Sequence, residues 1–278
     1  MGLFVEKLLA KKINFNEEVR NLETLYNTQR YWDSTSGYIS ASDYVNSNFL
    51  SWNFRGTFIS QKELKDRLGI SDIALASYRV DRLTEDQFVE YLEFLFNVLT
   101  VVRYDSRDHV VYSMRINILR CLAAIQYFIP NIKENDALYR MVPKNPTMDQ
   151  AIETMKDESL ADLLYEYVHH DTKGDLQKKS MILGSIWKCF EGHREEIKRN
   201  NKALESEIGK LANTCDIRHK PDAAEADLLS KLNAEEKEKL FDLLFQLYID
   251  AFATLEASQT IVDAEALLAK GADPSSRK

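Results

Sequence analysis

The chain has 278 residues, 45% apolar and 29% charged, and its 9 Gly and 5 Pro make roughly 5% punctuating residues where about 12% is usual. That composition excludes collagen-like and Gly/Ser-linker architectures and a wholly disordered chain, and it predicts long helices around a sizeable core. With 36 basic against 44 acidic residues the net charge is −8, which opposes attraction to phosphate backbones over the whole surface, so nucleic-acid contact needs a local patch.

In chain order, an amphipathic helix is predicted around Glu17 to Trp32, with Val19, Leu22, Leu25 and Tyr26 facing a core. A polar loop follows at Asp33 to Ser40, then a shorter helix near Asp43 to Trp52. Ser60-Gln61-Lys62-Glu63 is a capping box opening a short helix that stops at Gly69. A second box at Thr84-Glu85-Asp86-Gln87 opens a strongly apolar helix with Phe88, Leu92, Leu95, Phe96 and Leu99. After a charged break at Tyr104 to Asp108, another helix runs from about Val110 to Gln126, giving an αα-hairpin. Pro130, Pro143 and Pro146 bracket an extended connector or small hairpin over 130–148, where the boundary between two regions is placed. Beyond it, helical patterns cover Thr147 to His170, Asp175 to Lys198, Lys202 to Thr214 and Asn233 to Ala257, the last opened by the box Asn233-Ala234-Glu235-Glu236 and presenting Leu240, Leu243, Leu244, Leu247, Tyr248 and Phe252. A terminal helix from Thr260 to Lys270 precedes a tail at 271–278. The expected fold is all-α: a helical region over 1–129 and a four-helix-type bundle over 149–270.

No apolar run approaches the roughly 20 residues that span a bilayer, and Met1-Gly2-Leu3-Phe4-Val5-Glu6-Lys7 meets charge too early for a secretory segment. A cytoplasmic protein without membrane contact is expected. Glu6 stands where myristoylation wants Ser or Thr. Cys121, Cys189 and Cys215 are odd in number and far apart, which suits reduced thiols rather than a disulfide framework or zinc site.

Three potentially cationic side chains concentrate in Cys215-Asp216-Ile217-Arg218-His219-Lys220-Pro221, between two predicted helices of the bundle. Arg holds a phosphate bidentately and His transfers a proton near neutrality, the pair that metal-free RNA cleavage by the 2′-hydroxyl requires. The same cluster also suits a helix C-terminus, where cations complement the macrodipole and Pro221 prevents continuation.

The stretch from about 160 to 255 resembles the helical bundles called HEPN domains, common in bacterial abortive-infection and toxin proteins. The likeness is carried by Tyr167-Val168-His169-His170, Lys173-Gly174-Asp175, Ile217-Arg218-His219-Lys220 and the long acidic-to-apolar helix that follows. It implies a homodimeric phage-defence or toxin-like protein acting on RNA, as a metal-independent endoribonuclease or a degenerate RNA binder without cofactor. Arg218 would neutralise the phosphate, His219 would act as general acid or base, and Lys220 would steer the strand. The family's motif separates Arg and His by four to six residues, whereas Arg218 and His219 are adjacent.

Arg103-Tyr104-Asp105-Ser106-Arg107-Asp108-His109 meets that spacing, but six residues on a helix turn about 240°, so the pair converges only across a break. The segment from Phe58 to Arg82 looks like a helix-turn-helix, with Leu75 and Tyr78 inward and Arg79 and Arg82 set among Asp72 and Asp81. Lys65 stands where that motif usually has a small residue. His169-His170-Asp171, with Asp175 nearby, reads as a wet helix end rather than a metal site, because adjacent helical residues point about 100° apart. His193 belongs to a charged face. Tyr26, Tyr31, Trp32, Tyr38 and Tyr44 form an aromatic group lacking the interleaved cations of a base-stacking platform. Phosphate-loop, dinucleotide and serine-hydrolase motifs are absent. Beside the RNA reading stand two others: a non-catalytic helical adaptor docking a partner protein, favoured by the acidic surface, and a helix-turn-helix DNA-binding regulator.

Overall fold

The computed structural model describes residues 13–33, 37–79, 82–101, 109–130, 138–217 and 229–272, the side chains of 31–33, 109–110 and 256–272 excepted. The protein is mostly α-helical, with two small antiparallel ribbons. The chain divides into two compact units, Met1–Lys144 and Asn145–Lys278.

In the first unit α1 (Phe15–Thr28) starts where the Asn14 side chain accepts the Glu17 amide, with Glu17 and Glu18 at the positive end of the helix dipole. Val19, Leu22 and Tyr26 are buried and Leu25 half-buried. The helix stops earlier than the apolar pattern suggests: Gln29 is extended, and β1 (Arg30–Asp33) pairs with β2 (Gly37–Ser40), Tyr31 opposite Ile39. Two consecutive aromatic residues favour a strand over a last helical turn, and Gly37, at φ 75°, supplies a left-handed residue beside the turn. The polar loop expected at 33–40 is thus largely a hairpin. Ser40 and Asp43 cap α2 (Ala41–Asn48) reciprocally.

Ser60 caps α3 (Gln61–Arg67) as predicted, but the Glu63 carboxylate reaches past it to the Ile59 amide at 3.0 Å. Gly69 at φ 73° turns the chain into α4 (Ile70–Ala76). The buried Asn16 side chain then satisfies that helix's end, donating to the Ser77 carbonyl at 3.2 Å and accepting the Leu83 amide at 3.0 Å. α5 (Glu85–Val98), opened by the Thr84–Gln87 box, is apolar nearly all round because it is the centre of this core. Asn97 on α5 grips the segment before β4 by its backbone, accepting the Tyr139 amide and donating to the Tyr139 carbonyl, both at 2.8 Å. That segment leads into β4 (Val142–Pro143), which pairs with β3 (Tyr127–Phe128) just after α6 (His109–Ala124).

The second unit is a helical bundle. The expected helix from Thr147 to His170 is two: α7 (Pro146–Met155) and α8 (Glu158–Val168). Lys156 sits at φ 50°, and Asp157 restarts the helix by accepting the Ser159 and Leu160 amides, which the apolar periodicity could not reveal. α9 (Leu176–Asn200) and α10 (Lys202–Thr214) follow, and α11 (Ala234–Ala272) is opened by reciprocal Asn233–Glu236 bonds. α11 runs unbroken through the stretch expected to separate two helices; Ala257-Ser258-Gln259-Thr260 holds neither Gly nor Pro to stop it. It packs on α7, α9 and α10 through Leu244, Phe245, Tyr248, Ile249 and Phe252, while Leu243, expected on that face, is 51% exposed. Among the described residues no helix is long and apolar enough to cross a membrane.

Candidate functional site

The end of α8, the loop after it, the start of α9 and the start of α11 meet at one end of the second unit's bundle. Tyr167, in the last turn of α8, donates its hydroxyl to Asp242 Oδ1 at 2.9 Å, and its ring stacks on Phe245 at 4.0 Å. Lys179, in the first turns of α9, is 5% exposed and places its ammonium 2.6 Å from Asp242 Oδ1 and 2.8 Å from Glu238 Oε1. It also lies 5.1 Å from the centre of the Tyr167 ring. Glu238 and Asp242 are one helical turn apart on α11 and so share a face. The loop between α8 and α9 is tied to the same place: the Gly174 amide, at φ 77°, donates to Glu238 Oε1 at 2.7 Å. Lys179 and then the Gly174 amide hold the Glu238 carboxyl below its ordinary range, while burial and the neighbouring Asp242 push the Tyr167 phenol far up.

α10 ends against this cluster. The Asp216 amide returns to the Asn213 carbonyl and the Ile217 amide to the Ala212 carbonyl, at 3.1 and 2.9 Å, with Asp216 at φ 56° where glycine is usual. Cys215 is buried, and Ile217 packs half-buried on the core. Burial raises the Cys215 thiol to about 12. This is a helix stop built by backbone bonds and an apolar anchor. Arg218, His219 and Lys220 follow directly and lie outside the described residues, as do Arg103 to Asp108.

The other candidates are placed as follows. In the segment resembling a helix-turn-helix, α4 ends at Ala76 instead of near Arg82, and the inward residues are Ile70 and Ile73; Leu75 and Tyr78 are 58% and 65% exposed. Lys65 pairs with Glu23 of α1 at 2.7 Å, and Glu23 also accepts the Tyr91 hydroxyl. His193 is half-buried on α9. Of the aromatic group, Tyr26 is core and donates no platform, its hydroxyl accepting Gln61 at 2.7 Å, whereas Tyr38 is exposed. His169 and His170 are not on a helix, since α8 stops at Val168.

The Lys179–Glu238–Asp242–Tyr167 cluster escaped the sequence reading. Glu238 and Asp242 at helical spacing were visible, but the cation they share is about sixty residues away in sequence. In the first unit a groove of about 590 Å³ lies between α1 and α6, lined by Glu18, Asn21, Asn117, Arg120 and Cys121 among others. Burial, with Glu18 adding to it, raises the Cys121 thiol to about 12, which disfavours its thiolate at neutral pH. Comparison with known protein families, curated proteins and solved structures returns no match.

Proposed function

We propose that the protein engages RNA through the segment Arg218-His219-Lys220 at the end of its C-terminal bundle, in the manner of a HEPN-like toxin or defence protein. The supporting observation is convergence: Tyr167, Gly174 and Lys179 share one cluster of hydrogen bonds with Glu238 and Asp242 at the start of α11, and Cys215 and Ile217 pack in the apolar core of the same unit. The basic triplet follows Ile217 directly in sequence. The cluster itself sums to one cation against two carboxylates, so it repels phosphate and leaves recognition to the triplet.

A symmetric dimer would bring two copies of the Arg218-His219-Lys220 segment together, and cleavage is assigned to that paired state. The test is a filter-binding and cleavage assay in excess EDTA with single-stranded RNA. Wild type binds; Arg218→Ala and Lys220→Ala each weaken binding and lower its salt dependence. His219→Ala abolishes any cleavage without loss of binding. RNA affinity equal in wild type and the Arg218→Ala/Lys220→Ala double variant overturns the proposal.

A second reading rests on a different observation. Leu68, Leu75, Tyr78 and Ile59 on and around α3 and α4 are 48–74% exposed, in a segment whose surface offers acid beside base. Exposed aliphatic and aromatic side chains suit a protein partner better than a duplex. Retained in-cell function of Arg218→Ala, with loss in Leu75→Glu/Tyr78→Glu, favours this adaptor reading.

A further inference from the structure

The groove between α1 and α6 lies wholly within the first unit and is built by one face of each helix. Glu18, Asn21, Leu22 and Leu25 follow the i, i+3, i+4, i+7 spacing along α1, and Asn117, Arg120 and Cys121 the i, i+3, i+4 spacing along α6, so each set shares a face. The groove's volume of about 590 Å³ falls in the range of small-molecule sites, roughly 300–1,000 Å³. Leu22 is buried and Leu25 and Cys121 are half-buried, which gives an apolar floor. Around it stand polar groups of both signs. Glu18 and Asn117 are half-buried and Asn21 and Arg120 exposed, and none of these four side chains has a hydrogen bond or ion pair among the described residues. Thr24 differs, its hydroxyl donating to the Arg20 carbonyl at 2.8 Å.

We propose that this groove binds a small zwitterion of the amino-acid class, its ammonium at Glu18, its carboxylate at Arg120 and an aliphatic side chain on the floor made by Leu22, Leu25 and Cys121. Opposite charges on two different helices, not joined to each other, are complementary to a ligand that carries both. Burial, with Glu17 adding to it, raises the Glu18 carboxyl, as expected of a carboxylate short of a counter-cation, and an ammonium in the groove supplies one. Glu18 is close enough across the groove to act on the Cys121 thiol of the opposite wall, so its charge is felt inside the groove. A guanidinium takes a carboxylate through two parallel hydrogen bonds, and Arg120 has no partner that competes for it. The amides of Asn21 and Asn117 each offer a donor and an acceptor one helical turn from these charges. A ligand of one sign meets a like charge: a phosphate or fatty acid faces Glu18, and a simple amine faces Arg120. A free amino acid and a short peptide share the required chemistry, and the volume admits either.

This inference concerns the first unit and is independent of the RNA reading. The experiment is calorimetric titration of the full chain with L-leucine and with the dipeptide Leu-Leu, beside leucinamide, which lacks the carboxylate, and 4-methylpentanoate, which lacks the ammonium. At least one of the two zwitterions is expected to bind saturably at one equivalent, and each one-charge analogue about tenfold or more weakly, the loss of one charge-assisted contact. Leucine alone identifies a free amino acid as the ligand, and Leu-Leu alone a short peptide. Glu18→Gln and Arg120→Gln each weaken binding of the zwitterion by a similar factor with far-ultraviolet circular dichroism unchanged. Glu18→Gln also removes the preference over 4-methylpentanoate, and Arg120→Gln the preference over leucinamide, which a merely structural role for either residue does not produce. No saturable binding of either zwitterion, analogues that bind as tightly, or affinities unchanged in both variants overturn it.

Discussion

Replacing Lys179 by Met keeps most of a buried stem and removes its charge from between Asp242 and Glu238. Two charge-assisted hydrogen bonds, at 2.6 and 2.8 Å, are lost, each worth about 1.5–3 kcal/mol. Two effects offset this. The variant no longer desolvates an ammonium, a penalty of several kcal/mol in real proteins. The stranded carboxylates also rehydrate readily, since the Asp242 and Glu238 side chains are 52% and 24% exposed. The net expected loss is about 2 kcal/mol, below the roughly 3–5 kcal/mol of a fully enclosed pair. For a unit of 134 residues (278 minus 144) that corresponds to a fall of roughly 8 °C in its Tm. Urea titration followed by Trp187 fluorescence in a Trp32→Phe/Trp52→Phe background reads the second unit, and a cycle with Asp242→Asn is expected to give a coupling of about 1–2 kcal/mol. A Lys179→Met protein as stable as wild type, with additive effects in the cycle, refutes the reasoning that this buried cation holds α9 to α11.

Acid should weaken the fold through identified groups. The Asp171 and Glu238 carboxyls both titrate lower in the folded protein than unfolded, so their contributions are complete above the ordinary carboxylate range and disappear as pH falls through the folded values, about 2 for Asp171. Urea midpoints measured from pH 5 to pH 2 should fall, and Glu238→Gln should flatten that slope; a flat wild-type profile contradicts it. Thiol reactivity should be uneven: with Cys121 and Cys215 raised to about 12, only about one thiol in ten thousand is thiolate at pH 8. Iodoacetamide on the native protein should modify Cys189 first and reach the other two only in urea, as peptide mass spectrometry after a timed quench would resolve; prompt native labelling of Cys215 contradicts its burial.

Several helix starts were legible from local caps: Ser60, Thr84 and Asn233 open helices in the structure, because the partners lie three residues away, whereas the Asp157 cap, equally local, was hidden inside a continuous apolar periodicity. The end of α10 at Thr214 was equally legible, since the turn that closes it is made within five residues. Where a tertiary partner decides, periodicity misled. Leu75 and Tyr78 have the spacing of an inward face, yet α4 is pinned by Asn16 from α1, which ends it early and turns them outward. His169 and His170 were assigned diverging directions on a helix that in fact stops one residue before them.

The sequence by itself determined that this chain is helical and where most helices begin, because few Gly and Pro, 3.6-residue apolar spacing and local caps act within a turn or two of the chain. It also set out Arg218, His219 and Lys220 as a basic run within an acidic protein. Only the tertiary structure decided that Tyr167, Lys179, Glu238 and Asp242 share one cluster and that Asn97 grips the backbone at Tyr139. Those pairings join residues about forty to seventy-five positions apart, and a buried charge or amide takes whichever partner packing brings within hydrogen-bonding distance.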